Sequence, residues 1–404
     1  MKQLVVAFAL LAACRGDNKD AGPSHGSALS VSGSGSTAGS LPKLPLTEDG
    51  KAMLRALDAG IEGTRERPAE HIGLLLQRAG IRGRVEDYTR ALAAAGAFAK
   101  ASPTDEAALR ARVQALVAVH RFGDARAAIA ELAKVIHPSF LPELEVGIDQ
   151  ATGNLDRALA TREQIMKDAP SPQTITLYAM TLAEAGRFDE ALALLPKGTA
   201  AIRLNTPDFV SWLLFQWGRI YEQKGDTALA RDFYEEAYRR LPGSLEAAEH
   251  LVGVLVATGD TERAKRIVAT AVAENYHPTL RALAVKLGVS KESAADVAAE
   301  WERYVAALPE AFADHAARFY LDAGANPKRA LELARLNFAN RPTFAARALV
   351  VEAALAAGDP AGACAEVDAL VEAPTRAHRF IAWKALSACG RKEEAQRLGA
   401  ALGI

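Results

Sequence analysis

An excess of charge of either sign is missing from this chain, whose 404 residues carry 48 Lys and Arg against 49 Asp and Glu, a formal charge of −1. That balance removes the strongest reason to expect a nucleic-acid partner. Convincing β-strand segments are absent, and with them any strand-borne dinucleotide fingerprint. No Gly-x-Ser-x-Gly elbow occurs, and no Gly-rich phosphate loop before Lys-Ser or Lys-Thr. The eight histidines, His25, His71, His120, His137, His250, His277, His315 and His378, show neither His-Glu-x-x-His nor any other ligand spacing, so no metal and no cofactor is expected. Adjacent carboxylates such as Glu235 and Glu236 point in different directions on a helix and read as a solvated face, not an acid/base pair. Nothing in the sequence supports an enzyme.

A hydrophobic run of membrane-spanning length is missing from the N-terminus as well. Residues 4–13 are ten unbroken apolar residues behind Lys2, half of the roughly twenty that a mature spanning helix needs. Ten suit a secretion signal. The run ends in Leu11-Ala12-Ala13-Cys14, which resembles a bacterial lipobox. The resemblance implies cleavage after residue 13, with Cys14 becoming the acylated first residue of the mature chain, and several acyl chains anchor firmly where one is marginal. Arg15, and not Asp, follows the cysteine, which by the same resemblance favours the outer membrane, on its periplasmic face. Residues 14–46 start with Cys14 and continue rich in Gly, Ser and Ala without apolar periodicity, as expected of a flexible tether.

From residue 47 onward Ala, Leu, Glu and Arg dominate and apolar residues recur at helical spacing. A glycine followed five residues later by alanine repeats: Gly153 and Ala158, Gly186 and Ala191, Gly225 and Ala230, Gly259 and Ala264, Gly358 and Ala363, Gly390 and Ala395. Successive glycines lie 33, 39 and 34 residues apart in the first four and 32 apart in the last two. Looser copies begin at Gly83, at His120 and, after a one-residue insertion, at Gly324. Each copy makes sense as two antiparallel helices, with glycine ending the first and a buried alanine in the first turn of the second, where the backbones approach closely.

The copy at 211–244 carries the signature most fully, with Trp217-Gly218, Tyr221, Gly225, Ala230, Tyr234, Ala237 and Pro242. This pattern resembles the tetratricopeptide repeat family. The resemblance implies an all-α solenoid, a right-handed superhelix of slightly more than one turn over 47–404. Helix pairs are expected to begin near residues 69, 106, 139, 172, 211, 245, 279, 310, 344 and 376, behind a capping helix at 47–63. Stacked copies share a continuous core that no single copy has.

In that geometry the first helices line a concave groove. The residues expected there are Trp212, Phe215, Arg219 and Glu222, with Met180 and Thr176 before them and Glu246 and Glu249 after. Trp217 and Tyr221 face the packing. Such a patch suits an extended peptide or amphipathic helix from another protein; alternatively Trp212 and Phe215 cover the long connection after Gly198. Cys364 and Cys389, the two thiols besides Cys14, fall on elements expected to touch, and read either as a disulfide or as two small buried residues. The function expected is a non-catalytic, lipid-anchored envelope scaffold that binds protein through this groove, as an assembly factor for an envelope machine, with an accessory or substrate-holding subunit of a polysaccharide or secretion apparatus, or an envelope enzyme, as the alternative.

Overall fold

The computed structural model describes residues 41–42, 44, 47–200, 202–203 and 206–404. The apolar run at 4–13, Cys14 and the tether up to residue 40 lie outside the described residues. Among those described every regular element is helical, and no helix is long and apolar enough to cross a membrane.

Helix α1 (Gly50–Gly63) precedes ten antiparallel pairs. The first five are α2 (Pro68–Arg82) with α3 (Val85–Ala101), α4 (Glu106–Ala118) with α5 (Phe122–Leu132), α6 (Leu141–Ala151) with α7 (Leu155–Asp168), α8 (Pro172–Glu184) with α9 (Phe188–Ala193) and α10 (Leu195–Ala200), and α11 (Pro207–Lys224) with α12 (Thr227–Arg240). The others are α13 (Leu245–Ala257) with α14 (Thr261–Glu274), α15 (Pro278–Lys286) with α16 (Ala294–Ala307), α17 (Pro309–Leu321) with α18 (Pro327–Asn340), α19 (Phe344–Ala356) with α20 (Pro360–Val371), and α21 (Arg376–Ala388) with α22 (Lys392–Leu402).

Local chemistry sets these boundaries. Side chains of Asp49, Asp105, Ser171, Ser244, Ser293, Thr343 and Thr375 accept from backbone N–H groups of the first helical turn, where no intrahelical partner exists. Proline opens α2, α8, α11, α15, α17, α18 and α20, where its missing N–H costs nothing. The repeated alanines Ala125, Ala158, Ala191, Ala230, Ala264, Ala330 and Ala363 are fully buried between paired helices. At Gly218 a methyl group would lie 2.6 Å from the Tyr234 ring, so the small residue after Trp217 is a steric requirement of the pair. The second helix of the fourth pair departs from the pattern, because Pro196 splits it into α9 and α10.

The solenoid coils tightly enough for its turns to touch. Gly50, at the start of α1, meets the Arg240 carbonyl, and Arg240 donates to Thr47 (3.3 Å). The turn of the first pair meets the loop before the seventh, where Asn275 Nδ2 donates to the Arg82 carbonyl (3.1 Å) and Arg82 donates to the Glu274 carbonyl (3.2 Å). In the second pair His120 Nδ1 lies 3.2 Å from the Glu310 carbonyl oxygen, and the His120 carbonyl accepts from Asn340 Nδ2 (2.9 Å). Gly153 abuts the Pro342 carbonyl and Gly186 that of Pro374. The contacts therefore advance in one register, each turn meeting a loop about 190 residues later, with separations of 190 at His120 and 193 at Asn275. About six helix pairs make one superhelical turn. The spiral thus runs well beyond slightly more than one turn, since α1 and the first four pairs lie on the loops that precede pairs six to ten. The largest core cluster accordingly joins Leu54, Ile61 and Leu75 to Trp301, Phe312 and Leu349 across the seam.

Candidate protein-binding cleft

Helix α11 shows why the expected groove does not form. It starts at Pro207, ends at Gly225 with φ 94°, and nearly every residue of 207–220 is buried, on all faces. A helix on an open concave surface keeps one wet stripe. Here the tight coil presses the first helices of successive pairs together, and Leu41 and Leu44 add cover by packing on the same cluster.

The expected groove residues divide accordingly. Phe215 is 2% exposed, with its ring 5.6 Å from Tyr234 and 5.1 Å from His250. Glu222 accepts from the Tyr234 hydroxyl (2.6 Å) and lies 3.0 Å from His250 Nδ1, so its carboxylate ties α12 to α13. Thr176 and Glu249 are buried. Met180 and Arg219 are also buried and line a narrow cleft with Glu184, Gln216, Ile220 and Gln223, of about 200 Å³. Trp217 is fully buried and Tyr221 stacks on Phe233 (5.3 Å), both within the packing. Gly198, within α10, lies against Ile175 and against Trp217, whose ring edge a methyl group there would approach to 3.5 Å.

Trp212, Phe215 and Glu246 converge on a second, larger cleft of about 600 Å³, open to solvent. Gln77, Gly80 and Ile81 of α2 form one wall; Asp208, Ser211, Leu241 and Ser244 complete it. Gln77 Nε2 donates to Asp208 (2.7 Å) across the seam between superhelical turns. The α2 residues were invisible to sequence reasoning because they lie 131 residues from their partner, with no local pattern to announce the contact.

The lining is mixed, with Trp212, Phe215, Ile81 and Leu241 apolar and Gln77, Asp208, Ser211, Ser244 and Glu246 polar. The Ser211 hydroxyl donates to the Ala237 carbonyl (2.9 Å), which commits its proton to the fold. No histidine or cysteine lines either cleft. Among the described residues no three His, Cys, Asp or Glu side chains converge as a metal set. What this arrangement can do is bind: Trp212, Phe215, Ile81 and Leu241 offer apolar contact, and Gln77, Asp208, Ser211, Ser244 and Glu246 offer polar groups that can orient an occupant.

Cys364 of α20 and Cys389, which follows α21, form a disulfide with their Cα atoms 6.0 Å apart, closing a separation of 25 residues between the last two pairs.

Two tetratricopeptide repeat models match the chain, over residues 171–243 and 222–287. Among solved structures, the chain is similar to one in Naa15/Naa10 bound to HypK-THB, at 15% identity and a TM-score of 0.30, covering 86% of this chain and 65% of that one. It is also similar to one in the APC/C hetero-tetramer Cut9-Hcn1, at 12% identity and a TM-score of 0.42, covering 87% and 81%. No curated protein matches. With the repeat models matched over 171–287 and helix pairs of the same build on either side, the chain is an all-α solenoid of the tetratricopeptide type.

Proposed function

We propose that the protein is a non-catalytic interaction scaffold of the bacterial cell envelope, anchored by lipid at Cys14, that captures another protein through the cleft floored by Trp212 and Phe215. The cleft carries this reading. It is the larger of the two clefts described above, it is open, and it presents Trp212 half-buried beside Ile81 with Glu246 at its edge. Aromatic anchors in such a setting are the residues on which protein interfaces concentrate their binding energy. Much of the roughly 600 Å³ of empty space there is open solvent, so the cleft is shallow and its occupant is a short segment and not a whole helix. The envelope address rests on residues 4–13 and Cys14, and the role in envelope assembly on the repeat type.

Crosslinking in the native envelope followed by mass spectrometry tests both parts. Trp212→Ala is expected to lose the crosslinked partner at least tenfold while the chain loses less than about 2 kcal/mol of stability; a retained partner defeats the cleft as the site. Cys14→Ser is expected to move the protein from the membrane to the soluble fraction, and unchanged membrane retention would count against the lipid anchor.

A further inference from the structure

The seam between superhelical turns has two complementary halves, and each half recurs uncovered elsewhere on the molecule. One half is a helix-pair turn whose first helix ends in a left-handed residue: Gly83, His120, Gly153 and Gly186 all have positive φ and all are covered by a loop of the next superhelical turn. The other half is the loop between pairs, each with an X-Pro step: His277-Pro278, Leu308-Pro309, Arg341-Pro342 and Ala373-Pro374.

The later turns repeat the first half with nothing on it. Gly225, Gly259, Gly288, Gly358 and Gly390 have the same positive φ, between 70° and 94°, and a methyl group on any of them would meet no atom of the described residues within 4 Å. The earlier loops repeat the second half at Arg67-Pro68, Ser102-Pro103, His137-Pro138, Ala169-Pro170 and Thr206-Pro207. Exposed apolar side chains sit on both free edges: Val256 and Val289 beside the open turns, Val135 and Phe140 in the open loops. The same two edges that hold one turn of the spiral on the next therefore face solvent at opposite ends.

We propose that a second copy of this chain docks there, its early loops seated on the late turns of the first, so that the superhelix continues from one molecule into the next. The occupant follows from continuity: the late turns are the same surface, at the same repeat spacing, that already receives this chain's own loops. Continuation at that register sets the turn at Gly259 and Asp260 of one copy against the loop at residues 64–67 of the next. Such a contact is heterologous, because each copy offers a different edge, and it does not close into a two-fold dimer. The inference stands apart from the cleft reading, since neither edge includes Trp212 or Phe215.

Sedimentation of the full chain in mild detergent, over concentrations reaching about 100 μM, tests it. The wild type should show mass rising with concentration through dimer and longer species. Val256→Arg breaks the turn edge and Phe140→Arg the loop edge; each alone should remain monomeric, weakened at least tenfold. Their mixture should form a dimer and nothing longer, because the intact loop edge of V256R can seat on the intact turn edge of F140R. Val289→Arg serves as a second turn-edge variant if V256R loses its helical signal. A wild type monomeric throughout the range, single variants that associate like the wild type, or a mixture that stays monomeric would each overturn the proposal.

Discussion

The turn glycines look alike in sequence and differ in what surrounds them. All end a first helix with positive φ, where a side chain costs about 1 kcal/mol. At Gly153 and Gly186 an added methyl group would also lie 2.7 Å and 2.8 Å from the carbonyl oxygens of Pro342 and Pro374, and those backbones cannot rotate away. Gly153→Ala and Gly186→Ala are therefore expected to cost about 3 kcal/mol each, and Gly259→Ala and Gly358→Ala, with open space around them, about 1 kcal/mol; urea denaturation of the four variants checks the ranking, and equal losses would mean that the seam yields freely. His120 occupies the same position with φ 58°, its backbone carbonyl held by Asn340 and its ring beside the Glu310 carbonyl. A second residue-scale prediction concerns pH. His378 is pushed down to about 4, first by burial and then by the Arg318 charge, with its Nδ1 2.9 Å from the Thr375 hydroxyl and its ring stacked on Phe344. Its folded pKa lies below the unfolded value of about 6.5, so between the two the unfolded chain takes up the proton and the folded chain does not. Stability from this group is complete above about pH 6.5 and falls as pH drops towards 4, by about 2 kcal/mol given its partly exposed edge. His378→Gln should remove that share of the pH dependence between about pH 7.5 and pH 4.5, measured by denaturation at both; an unchanged slope would place the titrating group elsewhere.

Helices were legible where one residue type has one use. The glycine and alanine register falls on the turns and buried contacts of the structure: Gly225 closes α11 and Ala230 is buried in α12, and the same holds at Gly259 with Ala264 and at Gly358 with Ala363. Proline was ambiguous by contrast. Pro138, Pro278 and Pro309 open helical segments, as a proline after a second helix suggests, whereas Pro196 breaks one, and nothing in the local composition separates the two cases. Facing was legible for Trp217; Phe215 and Arg219 do line clefts but are far more buried than an open groove would leave them, and Glu249 is buried and lines neither cleft. Periodicity says which residues share a stripe, and the expected groove rested on the outer stripe of each first helix being wet. That depends on how tightly the solenoid coils, a sum of small rotations between pairs that no single repeat encodes. The Gln77 wall of the cleft was hidden for the same reason, since it belongs to the neighbouring superhelical turn.

At the scale of the molecule, the stacked turns change how the array should unfold. A solenoid whose repeats touch only their neighbours behaves as a one-dimensional chain and can melt from its ends in steps. Here the Arg78 guanidinium binds Asp87 (2.7 Å) and Asp58 (2.6 Å) and so fixes α1 to the first pair, while α1 and the first four pairs are in turn fixed to loops about 190 residues away. Ends and middle are thereby coupled: fraying of the last pair uncovers Gly186, and loss of α1 uncovers Arg240 and Leu241. The wild type is expected to unfold in one transition, with far-UV circular dichroism and tryptophan fluorescence coinciding, because Trp217 and Trp301 report buried sites in two different core clusters. Doubling the seam damage, with Gly153→Val and Gly186→Val together, should leave neighbouring pairs in contact but uncouple the turns, and the two probes should then separate into distinct midpoints. If the wild type already shows separate midpoints, or the double variant keeps one, the seam does not set cooperativity and nearest-neighbour packing alone governs the array.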